Sequence, residues 1–94
     1  MSEARWARSA QADFDRADRY HRAIDPAFSY RLGRAALDAA HFLAEHPYAG
    51  AALDRRTRRW RVRATSYQII YRVTDDGGEI VRLRHAHENW RTDP

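Results

Sequence analysis

The sequence predicts an α+β fold in which a helical hairpin packs on one face of a small antiparallel sheet, with the element order β-α-α-β-β-β. Two observations carry this prediction. Apolar residues recur at helical spacing between residues 9 and 45, and residues 59–85 contain three runs rich in β-branched and aromatic residues. An Asp-Pro pair at 25–26 divides the helical half, and an Asp-Asp-Gly-Gly turn at 75–78 divides the strand half.

The N-terminal half begins with a short strand candidate at residues 4–8, which could pair with the later strands as a fourth member of the sheet. Ser9 is placed to cap a first helix that continues to Asp25. Asp25 stops this helix, because a residue before proline is pushed out of the helical region. Proline is favoured at the first helical position, so a second helix is expected from about Pro26 to Glu45.

The second helix carries one broad apolar stripe, in which several alanines allow the first helix to approach closely. The stripe consists of Phe28, Leu32, Ala35, Ala36, Ala39, Phe42 and Leu43. Pro47 and Gly50 follow the helix and predict its end, and residues 51–57 are interpreted as a loop.

Three strands are predicted at residues 59–64, 67–73 and 79–85. Their order and the turn at 75–78 indicate an antiparallel meander. The first strand alternates strictly between apolar and arginine side chains, so its two faces differ sharply in character. The helices are expected to cover the apolar face, which leaves the other face uncovered.

Extending this alternation through all three strands collects arginines on the uncovered face. The predicted set is Arg59, Arg61, Arg63, Arg72, Arg82 and Arg84. Like charges side by side oppose folding, so the cluster favours an anionic partner, either a phosphate backbone or an acidic protein segment. The alternative is a solvated face, because all 17 basic residues are arginine and a genome rich in arginine codons would explain that. A slip or a bulge in one strand would redistribute the set.

Length and composition predict one domain spanning residues 1–94, with flexible ends at residues 1–3 and 91–94. The chain has no cysteine, which excludes disulfides and thiolate chemistry. No apolar run is long enough to span a bilayer and no signal peptide is recognised, so a soluble protein acting in the cytoplasm is expected. No cofactor is expected.

The order and spacing of several short motifs resemble the RelE/ParE toxin superfamily of type II toxin–antitoxin systems, and the ParE branch more than the RelE branch. The motifs are Leu43-x-x-His46-Pro47-x-x-Gly50, Arg59-x-x-Val62, Ser66-Tyr67-x-Ile69-x-Tyr71-Arg72-Val73, Ile80-x-x-Leu83-x-His85 and a trailing Trp90. The resemblance covers nearly the whole chain, and it implies a small toxin held inactive by a cognate antitoxin whose C-terminal segment wraps it.

The two branches imply different activities. A ParE-like toxin, of the kind associated with plasmid stabilisation, poisons DNA gyrase by binding it and is not a hydrolase. A RelE-like toxin cleaves mRNA on the ribosome, and the matching residues would be Arg61, Arg63, Arg82, Arg84 and His85. Gln68 replaces a basic residue common in the nucleases, which counts against cleavage. A third alternative is a non-toxic module that only binds antitoxin.

Further expectations concern the end of the chain and the complex. Trp90, where nucleases carry a tyrosine, is expected to pack on the sheet and joins the arginines as a candidate for binding the antitoxin or another anionic partner. His85, His87 and Glu88 are too close together to form a metal site unaided, so none is predicted. The antitoxin is expected to lie across the helical hairpin and to reach the arginines with acidic residues, in a hetero-oligomer, while the free chain could dimerise through an edge strand.

Overall fold

The computed structural model describes residues 3–75 and 77–86 and confirms the predicted fold class. In chain order the elements are β1 (Glu3–Trp6), α1 (Arg8–Ile24), α2 (Pro26–Glu45), β2 (Ala51–Ala52), β3 (Arg58–Arg61), β4 (Tyr67–Arg72) and β5 (Gly77–His85). The two helices form a hairpin against a five-stranded sheet. The ends predicted to be flexible lie outside the described residues, apart from residue 3, which begins β1.

The strand order across the sheet is β1-β5-β4-β3-β2. Strands β3, β4 and β5 form the predicted antiparallel meander. Strand β1 joins the meander beside β5, as a parallel neighbour, so the sheet is mixed. Strand β2 is a two-residue antiparallel addition to β3, within the segment interpreted as a loop.

The helical hairpin follows the sequence signals closely at one helix start and not at the other. Helix α2 has the predicted bounds, and the Asp25 side chain accepts a hydrogen bond of 3.2 Å from the Phe28 backbone N–H at its start. Helix α1 begins at Arg8, with Ala7 in the capping position and no side-chain cap. The prediction that Ser9 caps this helix is therefore wrong; its hydroxyl donates to the Val81 carbonyl at 2.6 Å.

The core lies between the helical hairpin and the sheet. Its largest fully buried side chains are Tyr71, Leu32, Leu43, Ile69, Ile80 and Val62. Alanines of both helices, Ala10 and Ala17 on α1 and Ala39 and Ala40 on α2, belong to this core.

A β-bulge between β4 and β5 changes which side chains reach this core. Ile70 pairs with Arg82, but the next residue, Tyr71, pairs with Ile80, so Val81 is an extra residue on β5. Ile80 is consequently 0% exposed and lies in the core. Strict alternation along β5 would put Ile80 on the same face as Arg82 and Arg84, and the bulge is the reason that it lies on the opposite face.

Helix α1 closes the edge of β5 beyond the end of β1. The Ala7 N–H donates to the Ile80 carbonyl at 2.9 Å, and the Ser9 hydroxyl reaches the next carbonyl, that of Val81. One turn further along, Asp13 accepts the Leu83 N–H at 3.0 Å. Polar groups of the strand edge are thus satisfied by the helix instead of by another strand.

Asp13 is the centre of a buried ionic cluster, and its side chain is 5% exposed. Besides the Leu83 N–H, it accepts two hydrogen bonds from Arg82, at 2.7 and 3.0 Å, and one from Arg16 at 2.7 Å. Burial alone would raise the pKa of Asp13, but the hydrogen bonds from Arg82, Arg16 and Leu83 outweigh it and hold the pKa below its ordinary 3.8.

Tyr71 ties the loop after α2 to the sheet. Its buried hydroxyl donates to the Pro47 carbonyl at 2.7 Å and accepts the Gly50 N–H at 2.9 Å. A Cβ atom on Gly50 would lie 2.6 Å from both the Arg59 carbonyl oxygen and this hydroxyl. The spacing of proline, glycine and tyrosine in the sequence therefore has a structural cause.

Replacing Gly50 with alanine should lower the free energy of unfolding by about 2 kcal/mol or more, because backbone must move to admit the methyl group. Gly33→Ala is the matched control. Its Cβ would meet Phe14 at an ordinary 3.6 Å within helix α2, so it should stabilise by about 0.5–1 kcal/mol. Urea unfolding of both variants checks this, and equal shifts of the two midpoints would contradict it.

Asp13→Asn should destabilise the fold by about 3 kcal/mol, because Arg82 loses its charged partner in a mostly buried site.

The depressed pKa of Asp13 also predicts a pH dependence. Its stabilisation is complete above the ordinary pKa near 4 and is lost as the pH falls through the lower native pKa. The free energy of unfolding, measured with urea between pH 2.5 and 6, should change less with pH in Asp13→Asn than in Asp15→Asn, an exposed control on the same helix. The same dependence on pH in both variants would contradict the prediction.

Candidate functional site

The register of β3, β4 and β5 places five of the six predicted arginines on the face turned away from the helices. Trp60, Ile69 and Leu83 pair across the three strands on the core side. The neighbouring residues therefore point the other way, because successive strand residues alternate between faces. We call Arg59, Arg61, Arg72, Arg82 and Arg84 the arginine face; Gln68 lies on it between Arg61 and Arg84.

Two arginines of this face already have acidic partners. Arg82 is bound at the strand edge by the buried Asp13, and Arg72 donates from Nε to Glu79 at 2.6 Å. Arg82 therefore stabilises the α1–β5 contact. The Arg72 pair is exposed and adds little to stability.

Arg59 and Arg61 lack acidic partners among the described residues. Arg59 flanks Ile70, which is 7% exposed although it lies on the side opposite the helices. The aliphatic stems of neighbouring arginines can cover an apolar side chain in this way. Arg61 donates from Nε to the Thr65 carbonyl at 3.2 Å, which directs its guanidinium toward the end of the sheet.

Arg63 does not belong to the arginine face, contrary to the prediction. Strand β3 ends at Arg61, and Ala64 adopts a φ of 61°, so the strand alternation does not extend to these positions. Arg63 and Ala64 instead line a groove beside helix α2. The turn at this point, not the strand, fixes where Arg63 is placed.

The groove beside α2 has a volume of about 560 Å³ and an apolar floor. Phe42, 41% exposed, stacks on Trp60 with ring centroids 5.1 Å apart. This contact confirms that Trp60 faces the helices. The rim of the groove is charged and contains Arg31, Arg34, Arg63 and Asp38.

His85 lies at the other end of the helix-covered side, within a cluster of rings. It is opposite Tyr67 in the sheet, and the two rings meet edge to face at 5.2 Å. The Tyr67 hydroxyl is hydrogen-bonded to Nε2 of His21 on α1 at 2.8 Å. Arg61 lines the same cleft, and Arg84 lines the adjoining cleft that His85 also borders. Three of the residues proposed for a nuclease therefore lie near one another; Arg63 and Arg82 lie elsewhere.

The sequence profile of the ParE toxin of type II parDE toxin–antitoxin systems matches residues 4–90, almost the whole chain. The chain belongs to the ParE toxin family. A search of curated proteins finds no significant match. The structural comparison agrees with the family: a chain of the chromosomal ParDE toxin–antitoxin system from P. aeruginosa superposes with a TM-score of 0.77 at 18% identity, over 93% of this chain and 98% of that one. At that identity the likeness establishes the fold.

The described part of this ParE toxin contains neither a group of metal ligands nor a membrane-spanning helix. Within residues 3–75 and 77–86 no three histidine, aspartate or glutamate side chains are grouped to hold a metal ion. Trp90, His87 and Glu88, which the sequence analysis considered, lie outside the described residues. In the same part of the chain, no helix is both long and apolar enough to cross a membrane.

Sequence reasoning missed two features of this ParE toxin that position the site. The first is Asp13, which the sequence analysis did not single out, although its burial and its contact with β5 hold Arg82 in place. The link between His21 and Tyr67 spans 46 residues, so no local pattern contains it. The one available signal was the helical spacing of His21 with Phe14 and Ala17.

Proposed function

We propose that this ParE-family chain inhibits DNA gyrase by binding it, acts in the cytoplasm, and is kept inactive by a cognate antitoxin. Membership of the ParE family over residues 4–90 carries this proposal. The incomplete grouping of the residues suggested for a nuclease supports it. Arg82 is engaged with Asp13, Arg63 lies by the α2 groove, and Gln68 supplies no cation between Arg61 and Arg84.

The antitoxin segment is proposed to be amphipathic and acidic. Its apolar side would cover the groove beside α2, where Phe42 and Trp60 present stacked rings. Acidic residues would meet the arginines on the groove rim and then Arg59 and Arg61 on the arginine face. A helix or extended segment laid into an apolar groove is a common mode of peptide recognition, and matching charges set its orientation.

The gyrase proposal is tested with the purified chain and purified gyrase. Added to gyrase and relaxed plasmid, the chain should abolish supercoiling, and preincubation with the antitoxin should restore it. In parallel, translating ribosomes should retain intact mRNA. Cleaved mRNA on ribosomes together with normal supercoiling would overturn the proposal in favour of the RelE-like alternative.

The effect on cells provides a second readout of the same proposal. Induction of the chain alone should cause filamentation and a DNA-damage response. Rapid arrest of translation would contradict it, and normal growth would favour a non-toxic antitoxin-binding module.

Reversing charge on the arginine face should weaken antitoxin binding. The double variant Arg59→Glu, Arg61→Glu is expected to raise the Kd about tenfold or more and to flatten its dependence on salt. Arg55→Glu, Arg56→Glu is the matched control, since it changes the net charge equally on the exposed loop before β3. Calorimetric titration at two salt concentrations measures both effects, and an equal loss in the control would mean that only net charge matters.

A further inference from the structure

A second cleft lies beside β2, the edge strand of the sheet, and has a volume of about 470 Å³, within the range of binding pockets in proteins. Four of its lining residues are arginines, at positions 55, 56, 58 and 72, and Tyr48 also lines it. It shares no lining residue with the groove beside α2, and neither Arg59 nor Arg61 lines it. The surfaces proposed for the antitoxin therefore leave this arginine cleft unused.

We infer that the arginine cleft is where the toxin contacts an acidic segment of its protein target, an inference that rests on the gyrase binding proposed above. Asp54 is the one acidic residue that lines the cleft, so its net charge is strongly positive. Arg55 and Arg56 are exposed, and their guanidinium groups have no partner in the part of the chain that the structure describes. An arginine in that condition presents paired nitrogens to a carboxylate without first breaking another contact.

The loop that carries Arg55 and Arg56 is held in one conformation by Asp54. The Asp54 carboxylate accepts the backbone N–H groups of Arg56 and Thr57, each at 2.8 Å. The Leu53 N–H donates to the Thr57 carbonyl at 2.9 Å and closes the loop. A loop anchored in this way loses less conformational freedom on binding than a mobile one, which favours recognition by the two arginines at its tip.

Tyr48 favours a protein partner over the phosphates of DNA. Its side chain is 69% exposed, and the Arg58 guanidinium lies over its ring, 5.0 Å from the centroid. Arg58 is fixed in turn by the Gly50 carbonyl at 2.7 Å, so the ring has a firm support. Tyrosine and arginine are enriched at protein–protein interfaces and often supply most of the binding energy there. Duplex DNA would use the arginines but not the ring, because its bases are stacked on one another.

The antitoxin and the target are recognised by different residues in this scheme, but their surfaces adjoin. Both include β3, with Arg58 in the arginine cleft and Arg59 and Arg61 in the antitoxin contact. A stable interface covers about 800 Å² of each partner, so the target must extend well beyond the cleft. A bound antitoxin would therefore collide with the target without filling the cleft itself.

The test measures binding of the purified chain to purified gyrase without DNA, by calorimetric titration. Arg55→Glu, Arg56→Glu should raise the Kd for gyrase about tenfold or more, because two attractive contacts become repulsive. The same variant should bind the antitoxin as the unaltered chain does, which also shows that it is folded. Arg8→Glu, Arg19→Glu is the matched control, since it makes the same change in net charge at exposed positions of α1 and should leave gyrase binding unchanged.

A second pair of variants tests the aromatic part of the cleft. Tyr48→Ala should weaken gyrase binding about tenfold, as expected for an anchoring ring. Tyr20→Ala, which removes a ring that is 63% exposed on α1, should not.

The outcomes separate this inference from the function on which it rests. If gyrase does not bind the unaltered chain, the proposed function fails and the inference fails with it. If gyrase binds the unaltered chain and both cleft variants equally, the inference alone fails. Equal losses in the α1 controls would also overturn it, and so would a loss seen only with a duplex oligonucleotide, which would assign the arginines to phosphate recognition.

Discussion

The carboxylate of Asp13 joins two elements that lie far apart in the chain, α1 and β5. It fixes α1 on the open edge of β5 through the Leu83 N–H, and it neutralises Arg82. Beyond the short strand β1, side chains of α1 thereby satisfy the backbone groups of β5 that a neighbouring strand would otherwise bond. Leaving either charge alone in this mostly buried site would be costly, so the helix and the strand hold each other in register.

The sequence predicted an element well where the physical effect that forms it acts between residues close together in the chain. The start of α2 follows from Asp25 and Pro26, whose capping and backbone preferences act within a few residues. The parallel direction of β1 could not be predicted, because four residues carry no signal for the direction of pairing. Ser9 was an ambiguous signal: a hydroxyl at a helix start serves a strand edge equally well when one lies beside it.

The candidate site was harder to predict, because its geometry depends on two backbone irregularities. The extra residue Val81 shifts the alternation of β5 and moves Ile80 into the core. The early end of β3, marked by the left-handed backbone at Ala64, places Arg63 beside α2. Alternation is reliable only while pairing is regular, and neither interruption involves a glycine or a proline that would have marked it in the sequence.

Arginine content alone therefore says little about function in this chain. Arg82 serves the fold, and Arg58 donates to the Gly50 carbonyl at 2.7 Å while lying over the Tyr48 ring. Guanidinium groups that already have partners would have to break those contacts to bind another anion, which offsets most of the gain. On the arginine face, Arg59 and Arg61 have no acidic partner within the described residues, so an incoming negative charge gains more there than at Arg72 or Arg82. What matters for binding is thus where an arginine with an uncompensated charge lies, more than the total of 17.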